Sequence, residues 1–131
     1  LLLLNCYKYF NYLLRMTNIP QSLTVHDLNN WLNSKNENPT IIDVREGLEI
    51  EIASLPFVDI YIPISQVSLE YVSSIISKHF NKKFVIVCHK GIRSYNFAQW
   101  LIENELVKDV WNLDEGIDGW SMYIDSSIPR Y

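Results

Sequence analysis

The chain has 131 residues, of which 48% are hydrophobic and 20% are charged, which suits one folded domain and excludes a disordered protein. The formal net charge is −4 and the basic residues form no extended cluster, so a broad nucleic-acid interface is not expected. No apolar run reaches the roughly eighteen residues of a transmembrane helix, so no membrane partner is expected either.

The cysteines and histidines limit the disulfide and metal chemistry that the chain can support. Cys6 and Cys88 are too few for a disulfide scaffold in a chain of this length. Free thiols are typical of a reducing compartment, so we expect a cytoplasmic location. Cys88 and His89 are adjacent, which does not suit a tetrahedral zinc site, and no other metal-ligand spacing occurs. We therefore expect neither a metal nor another cofactor.

Residues 1–21 differ in pattern from the rest and are predicted to be an N-terminal extension. The four leucines at its start are followed by polar and aromatic residues, which does not match the layout of a signal peptide. Two interpretations stay open for residues 1–15. They lie outside the domain, or they form a helix that docks through Tyr9, Leu13 and Leu14. A single domain is predicted over residues 22–131.

Apolar periodicity and turn residues predict the elements of this domain in chain order. Thr24 suits the N-cap of the first helix, with Leu28 and Trp31 on its apolar side. The elements up to residue 64 are a helix over 24–33, a buried strand over 40–44, a helical turn over 48–53 and a short strand over 60–64. The later ones are a helix over 65–80, a strand over 84–87, a helix from Ser94 to about Asn104, a strand over 110–113 and a helix over 117–123. Leu69, Val72, Ile75, Ile76 and Phe80 form the apolar face of the 65–80 helix.

The alternation of strands and helices predicts an α/β fold, with a small parallel sheet of about five strands and helices on both faces. In such sheets the carboxyl ends of the strands meet at one edge, where ligands bind. Asp43 and Cys88 both fall at this edge, so we expect the functional site there.

Cys88 follows the apolar strand 84–87 and opens a polar loop in front of the next helix. A helix N-terminus favours an anion, and Lys90 and Arg93 add positive charge, so the position favours the nucleophilic thiolate. Gly91 allows a tight turn. The alternative interpretation is that Cys88 is a small buried apolar residue, with His89 and Lys90 as ordinary solvated loop residues.

Four stretches resemble the rhodanese-like sulfurtransferases. The pattern of Cys88, Gly91, Arg93 and Ser94 after an apolar strand is similar to the active-site loop of that family. Asp43, Arg45 and Glu49 match a second family pattern. Residues 115–120 resemble its Gly-Gly-x-x-x-Trp signature, with Glu115 replacing the first glycine, and residues 124–131 resemble the tail of rhodanese domains associated with E1-like enzymes that adenylate sulfur carriers. The family's glycines are missing from residues 54–58.

This resemblance implies a single-domain rhodanese-like fold and a sulfurtransferase that works through a persulfide on Cys88. It implies that the substrate-binding loop consists of His89, Lys90, Gly91, Ile92, Arg93 and Ser94, and that Asp43 and Arg45 are a structural ion pair beside it. The donor would be thiosulfate or a protein persulfide. The acceptor would be a thiophilic molecule, with a sulfur-carrier protein or its E1-like enzyme among the candidates.

Two other functions stay open. A cysteine-dependent phosphatase is disfavoured because four residues separate Cys88 from Arg93, where that class has five, and because Val87 replaces its usual histidine. A non-catalytic binding module would keep the fold alone. The resemblance suggests that modules of this kind are rhodanese-like domains that have lost the cysteine, so the presence of Cys88 argues against this function.

Overall fold

A computed structural model of the chain describes residues 1–79 and 82–131, and for residues 14–17 it describes the backbone only. The strands of this part are β1 (Gln21–Leu23), β2 (Thr40–Asp43), β3 (Ile60–Tyr61), β4 (Phe84–Val87) and β5 (Val110–Leu113). The α-helices are α1 (Leu2–Thr17), α2 (Val25–Leu32), α3 (Gly47–Ile52), α4 (Leu69–Ile76), α5 (Ile92–Glu103) and α6 (Gly116–Tyr123). Short 3₁₀ turns lie at Ile64–Gln66 and Ser77–His79.

The strands form one parallel sheet in the order β1-β5-β4-β2-β3, which confirms the predicted α/β class. β4 lies in the middle and is buried along its whole length because helices cover both faces of the sheet. Its side chains alternate between two cores. Val85 and Val87 contribute to one core, whereas Phe84 and Ile86 contribute to the other, together with Cys88 just after the strand.

The caps explain where two helices begin. The Thr24 hydroxyl accepts a hydrogen bond from the Asp27 amide at 3.1 Å, so α2 begins as predicted. The helix predicted over 65–80 begins later in the structure, at Leu69. Ser68 caps α4 by accepting from the Tyr71 amide at 3.2 Å, and residues 64–66 form a 3₁₀ turn instead.

The predicted apolar face of that helix is also partly wrong. Leu69 is 50% exposed because it is the first residue of α4 and faces solvent, whereas Val72 and Ile76 are buried. Phe80, predicted at the far end of the same face, lies outside the described residues.

The N-terminal segment forms α1, and the side chains of Tyr9 and Leu13 are exposed. Leu14, the third residue of the expected docking face, has no described side chain. β1 begins at Gln21, which pairs with Trp111 of β5, one residue before the predicted domain start. The division into extension and domain stays a prediction. Among the described residues, no helix combines the length and apolar character that crossing a membrane requires.

Candidate active site

Cys88 lies directly after β4 and is only 1% exposed. The amide of Gly91 donates a hydrogen bond to Cys88 Sγ at 3.1 Å, so the loop turns back over the sulfur. This turn needs glycine, because Gly91 has φ +93° and a Cβ there would overlap the backbone carbonyl of Asp114. The loop thus presents a backbone N–H to the sulfur immediately before α5.

Ser94 was predicted to begin the helix after the loop, but it lies further inside that helix. α5 begins at Ile92 with Gly91 as its N-cap, so Ser94 is inside the first turn and fully buried. Its hydroxyl lies 3.2 Å from Cys88 Sγ and donates to Asn112 Oδ1 at 2.5 Å. Because a hydroxyl has a single proton, this arrangement leaves Ser94 to accept from the Cys88 thiol. A thiolate would instead attract that proton away from Asn112.

Asn112 is a site residue that the sequence analysis missed. It is buried in β5, and its Nδ2 donates to the carbonyl of Gly91 at 3.0 Å and to Asp114 Oδ1 at 2.9 Å. The available signal was a polar amide inside the apolar strand 110–113, since a buried polar group needs partners. Asn112 therefore connects the Cys88 loop to the neighbouring strand.

The first turn of α6 holds the other side of the loop. The amides of Ile117 and Asp118 donate to the carbonyls of Cys88 and His89, each at 3.0 Å. Gly116 permits this approach because its φ is +61° and a Cβ there would overlap both carbonyls. The glycine that gave residues 115–120 their resemblance to the family signature thus packs against the Cys88 loop.

Arg93 is paired rather than free. Its two terminal nitrogens donate to the two carboxylate oxygens of Glu49 at 2.7 and 2.8 Å. These hydrogen bonds hold the pKa of the Glu49 carboxyl at about 2, below its ordinary 4.5, although burial acts in the opposite direction. The same pairing raises the pKa of Arg93. Arg93 therefore ties the start of α5 to α3.

Asp43 and Arg45, the predicted ion pair, are brought together at the end of β2. Both side chains are fully buried, and Arg45 Nη2 lies 2.8 Å from Asp43 Oδ2. Burial acts to lower the pKa of Arg45, but its hydrogen bonds to Asp43 and Tyr131 outweigh this effect and raise it. Their role in supporting the site stays a prediction.

Tyr131 is a second residue that the sequence analysis did not single out. Its ring stacks on His89, with centroids 4.0 Å apart and an interplanar angle of 7°. Its hydroxyl accepts from Arg45 Nη1 at 3.1 Å and donates to Glu49 Oε1 at 3.0 Å. Only the resemblance of residues 124–131 to a family tail pointed to this segment.

The outer face of the loop is formed by its remaining predicted residues. Lys90 and Ile92 are exposed. They border a shallow depression of about 290 Å³, whose lining also includes Gly91, Tyr95, Asn96, Asn112 and Asp114. Of the six predicted loop residues, Gly91 and Ser94 contact the Cys88 sulfur, and a substrate-binding role for the loop stays a prediction.

Comparisons with known proteins identify relatives of this chain. Residues 24–123 match the model of the rhodanese-like domain. A chloroplastic rhodanese-like/PpiC domain-containing protein 12 of Arabidopsis thaliana is 38% identical over 107 residues, covering 76% of this chain and 35% of that protein. The adenylyltransferase and sulfurtransferase UBA4 of Debaryomyces hansenii is 32% identical over 113 residues, covering 83% of this chain and 25% of that protein.

A crystal structure of a rhodanese-like domain protein from Staphylococcus aureus has the same fold, with a TM-score of 0.58 and 24% identity. The match covers 85% of this chain and 98% of that one. The chain thus spans 35% of the length of the first of these two relatives and 25% of the second. From the matched model and the buried Cys88 loop together, we conclude that the chain belongs to the rhodanese-like domain family, whose members include sulfurtransferases.

Proposed function

We propose that the protein transfers a sulfane sulfur through a persulfide on Cys88. In the first half-reaction the Cys88 thiolate attacks the outer sulfur of thiosulfate, the bond between the two thiosulfate sulfurs breaks, and sulfite leaves with the electron pair. In the second, a nucleophilic acceptor attacks the terminal sulfur and the Cys88 thiolate is regenerated. No external oxidant or reductant is needed, because the sulfur is exchanged between donor, enzyme and acceptor.

The hydrogen bond from the Gly91 amide to Cys88 Sγ, 3.1 Å long, is the observation that carries this proposal. A backbone N–H directed at sulfur stabilises negative charge there, and its position before the twelve-residue helix α5 adds the favourable end of the helix dipole. Lys90 is exposed on the loop, where its charge would attract an anionic donor such as thiosulfate.

The burial of Cys88 favours a second candidate, a binding module that keeps the fold without catalysis. At 1% exposure the thiol is not open to a large reactant in this conformation. Transfer therefore requires a small donor or a movement of the loop. A phosphatase has less support, because the Arg93 guanidinium that would bind phosphate is held by Glu49 at both terminal nitrogens.

The partners belong to the same proposal. The relative named adenylyltransferase and sulfurtransferase UBA4 suggests a sulfur-carrier protein or its E1-like enzyme as acceptor, with thiosulfate or a protein persulfide as donor. We also propose a reducing compartment such as the cytoplasm, because Cys6 and Cys88 are both free thiols.

The test is the formation of thiocyanate from thiosulfate and cyanide. The chain offers a matched pair of variants, Cys88→Ser and Cys6→Ser, because Cys6 is an exposed thiol on α1. We expect the Cys6→Ser protein to retain the rate of the unmodified protein and the Cys88→Ser protein to lose it. Equal rates in the two variants, or no thiocyanate from the unmodified protein, would reject the proposal. Release of phosphate from an aryl phosphate would favour the phosphatase.

A further inference from the structure

We infer that Tyr131 is a positioning residue for the Cys88 loop, an inference that rests on the proposed function for its kinetic consequence. The residue is remote in sequence from the loop, yet its ring contacts the loop directly and its hydroxyl is connected to the loop through Glu49. Its ring lies on His89, next to the cysteine, and its hydroxyl joins the side chains that hold Arg93 at the far end of the loop.

The hydroxyl completes a continuous polar chain. Arg45 Nη1 donates to Tyr131 Oη at 3.1 Å, and that hydroxyl donates to Glu49 Oε1 at 3.0 Å. The same Glu49 oxygen accepts from Arg93 Nη2 at 2.7 Å. Because Arg45 is fully buried and fixed on Asp43, it is a rigid anchor. Through its two hydrogen bonds, Tyr131 connects this fixed arginine to the Glu49–Arg93 pair and so to the start of α5.

The ring limits the opposite end of the loop. His89 follows Cys88 directly, and its imidazole is nearly parallel to the phenol ring, with an interplanar angle of 7°. The His89 Nε2 atom is buried and has no hydrogen-bond partner among the described residues. Stacking on Tyr131 therefore limits the movement of the imidazole of His89, the residue that follows Cys88.

Tyr131 is connected to the loop at His89 directly and at Arg93 through Glu49, and these two positions lie on either side of the Gly91 amide that faces the sulfur. His89 precedes Gly91 by two residues and Arg93 follows it by two. If both flanks are held, the amide stays directed at Cys88 Sγ, and the thiol stays covered. Loss of Tyr131 should therefore loosen the loop, expose the thiol, and weaken the charge stabilisation on which sulfur transfer depends.

The first experiment measures the rate at which iodoacetamide alkylates Cys88 in the Cys6→Ser protein, without denaturant. Tyr131→Phe keeps the ring and removes the hydroxyl, whereas Tyr131→Leu removes both. We expect alkylation to accelerate about threefold in the first variant and about tenfold in the second, as local opening becomes easier. Tyr71→Phe and Tyr71→Leu are matched controls, since Tyr71 is 41% exposed against 37% for Tyr131 and lies on α4 outside this network. Equal rates in the Tyr131 and Tyr71 variants would overturn the inference.

The second experiment separates positioning from stability and from the proposed function. In the thiocyanate assay we expect kcat to fall about threefold in Tyr131→Phe and about tenfold in Tyr131→Leu, with KM changed less than about twofold. A parallel loss in the Tyr71 variants, or kcat unchanged in Tyr131→Phe, would contradict a positioning role. If the unmodified protein forms no thiocyanate, the proposed function fails while the alkylation result still decides the inference. If Tyr131→Leu does not fold, Tyr131→Phe gives the decision.

Discussion

Glu49→Gln is the change that tests the organisation of the site most closely. The Glu49 carboxylate accepts from both terminal nitrogens of Arg93 at 2.7 and 2.8 Å and from the Tyr131 hydroxyl at 3.0 Å. Glutamine has nearly the same shape, but it presents an NH₂ group to one of the donors and removes the negative charge. The variant therefore breaks the bidentate pair with little change in packing.

The size of the effect follows from the pKa of Glu49. A shift from 4.5 to about 2 corresponds to an upper limit of about 3.5 kcal/mol, at roughly 1.4 kcal/mol per unit. The Arg93 and Glu49 side chains are 37% and 20% exposed, so solvent screening reduces this value. We expect Glu49→Gln to lower the free energy of unfolding at pH 7 by about 1–2 kcal/mol.

The lowered pKa of Glu49 predicts how the stability difference between the two proteins changes with pH. The pKa of Glu49 is lowered in the folded state, so the interactions of its ionised carboxylate, above all with Arg93, stabilise the protein fully above about pH 4.5 and lose their effect as the pH falls towards about 2. Urea unfolding at pH 7, 4 and 3 should therefore show a shrinking difference between the unmodified protein and Glu49→Gln. Glu51→Gln, on the same helix at an exposed position, is the control and should change stability by less than about 0.5 kcal/mol. A difference that does not vary with pH, or an equal loss in the control, would refute the reasoning.

Two further substitutions have matched controls. Gly91→Ala should cost about 2 kcal/mol or more in urea unfolding and abolish thiocyanate formation, because φ is +93° and the Cβ meets the Asp114 carbonyl, whereas Gly47→Ala, which meets no atom, should be nearly neutral. A stable, active Gly91→Ala protein would contradict the loop geometry. Arg45→Met should cost about 3–5 kcal/mol by leaving the buried Asp43 side chain without its ion-pair partner, while Arg130→Met, at a solvent-exposed guanidinium, should have a much smaller effect on stability. Equal losses in these two variants would contradict the burial argument.

The sequence predicts the sheet well because local patterns specify it. The apolar run 84–87, in which three of the four residues are β-branched, has the composition of a strand covered on both faces, and it occupies the middle of the sheet. The position of Cys88 at the carboxyl end of this strand follows from that one element. The error at Ser65 has an equally local cause, since Ser65 and Ser68 are both possible caps and only Ser68 accepts the Tyr71 amide.

The contacts that complete the site could not be predicted in the same way. Tyr131 and Glu49 are 82 positions apart, and Asn112 and Gly91 are 21 apart, so no periodicity relates them. The pairing of Arg93 with Glu49 could not be predicted for the same reason. Its charge was visible in the sequence, but its partner on α3 depends on how helices pack across the edge of the sheet.

The most direct test of the central claim is the mass of the Cys88 peptide after the Cys6→Ser protein has been incubated with thiosulfate and freed of excess donor. The account predicts that this peptide gains the mass of one sulfur atom and that cyanide removes it with release of thiocyanate. An unchanged peptide from folded protein, or a sulfur that cyanide does not remove, would contradict the claim that Cys88 carries sulfur between donor and acceptor.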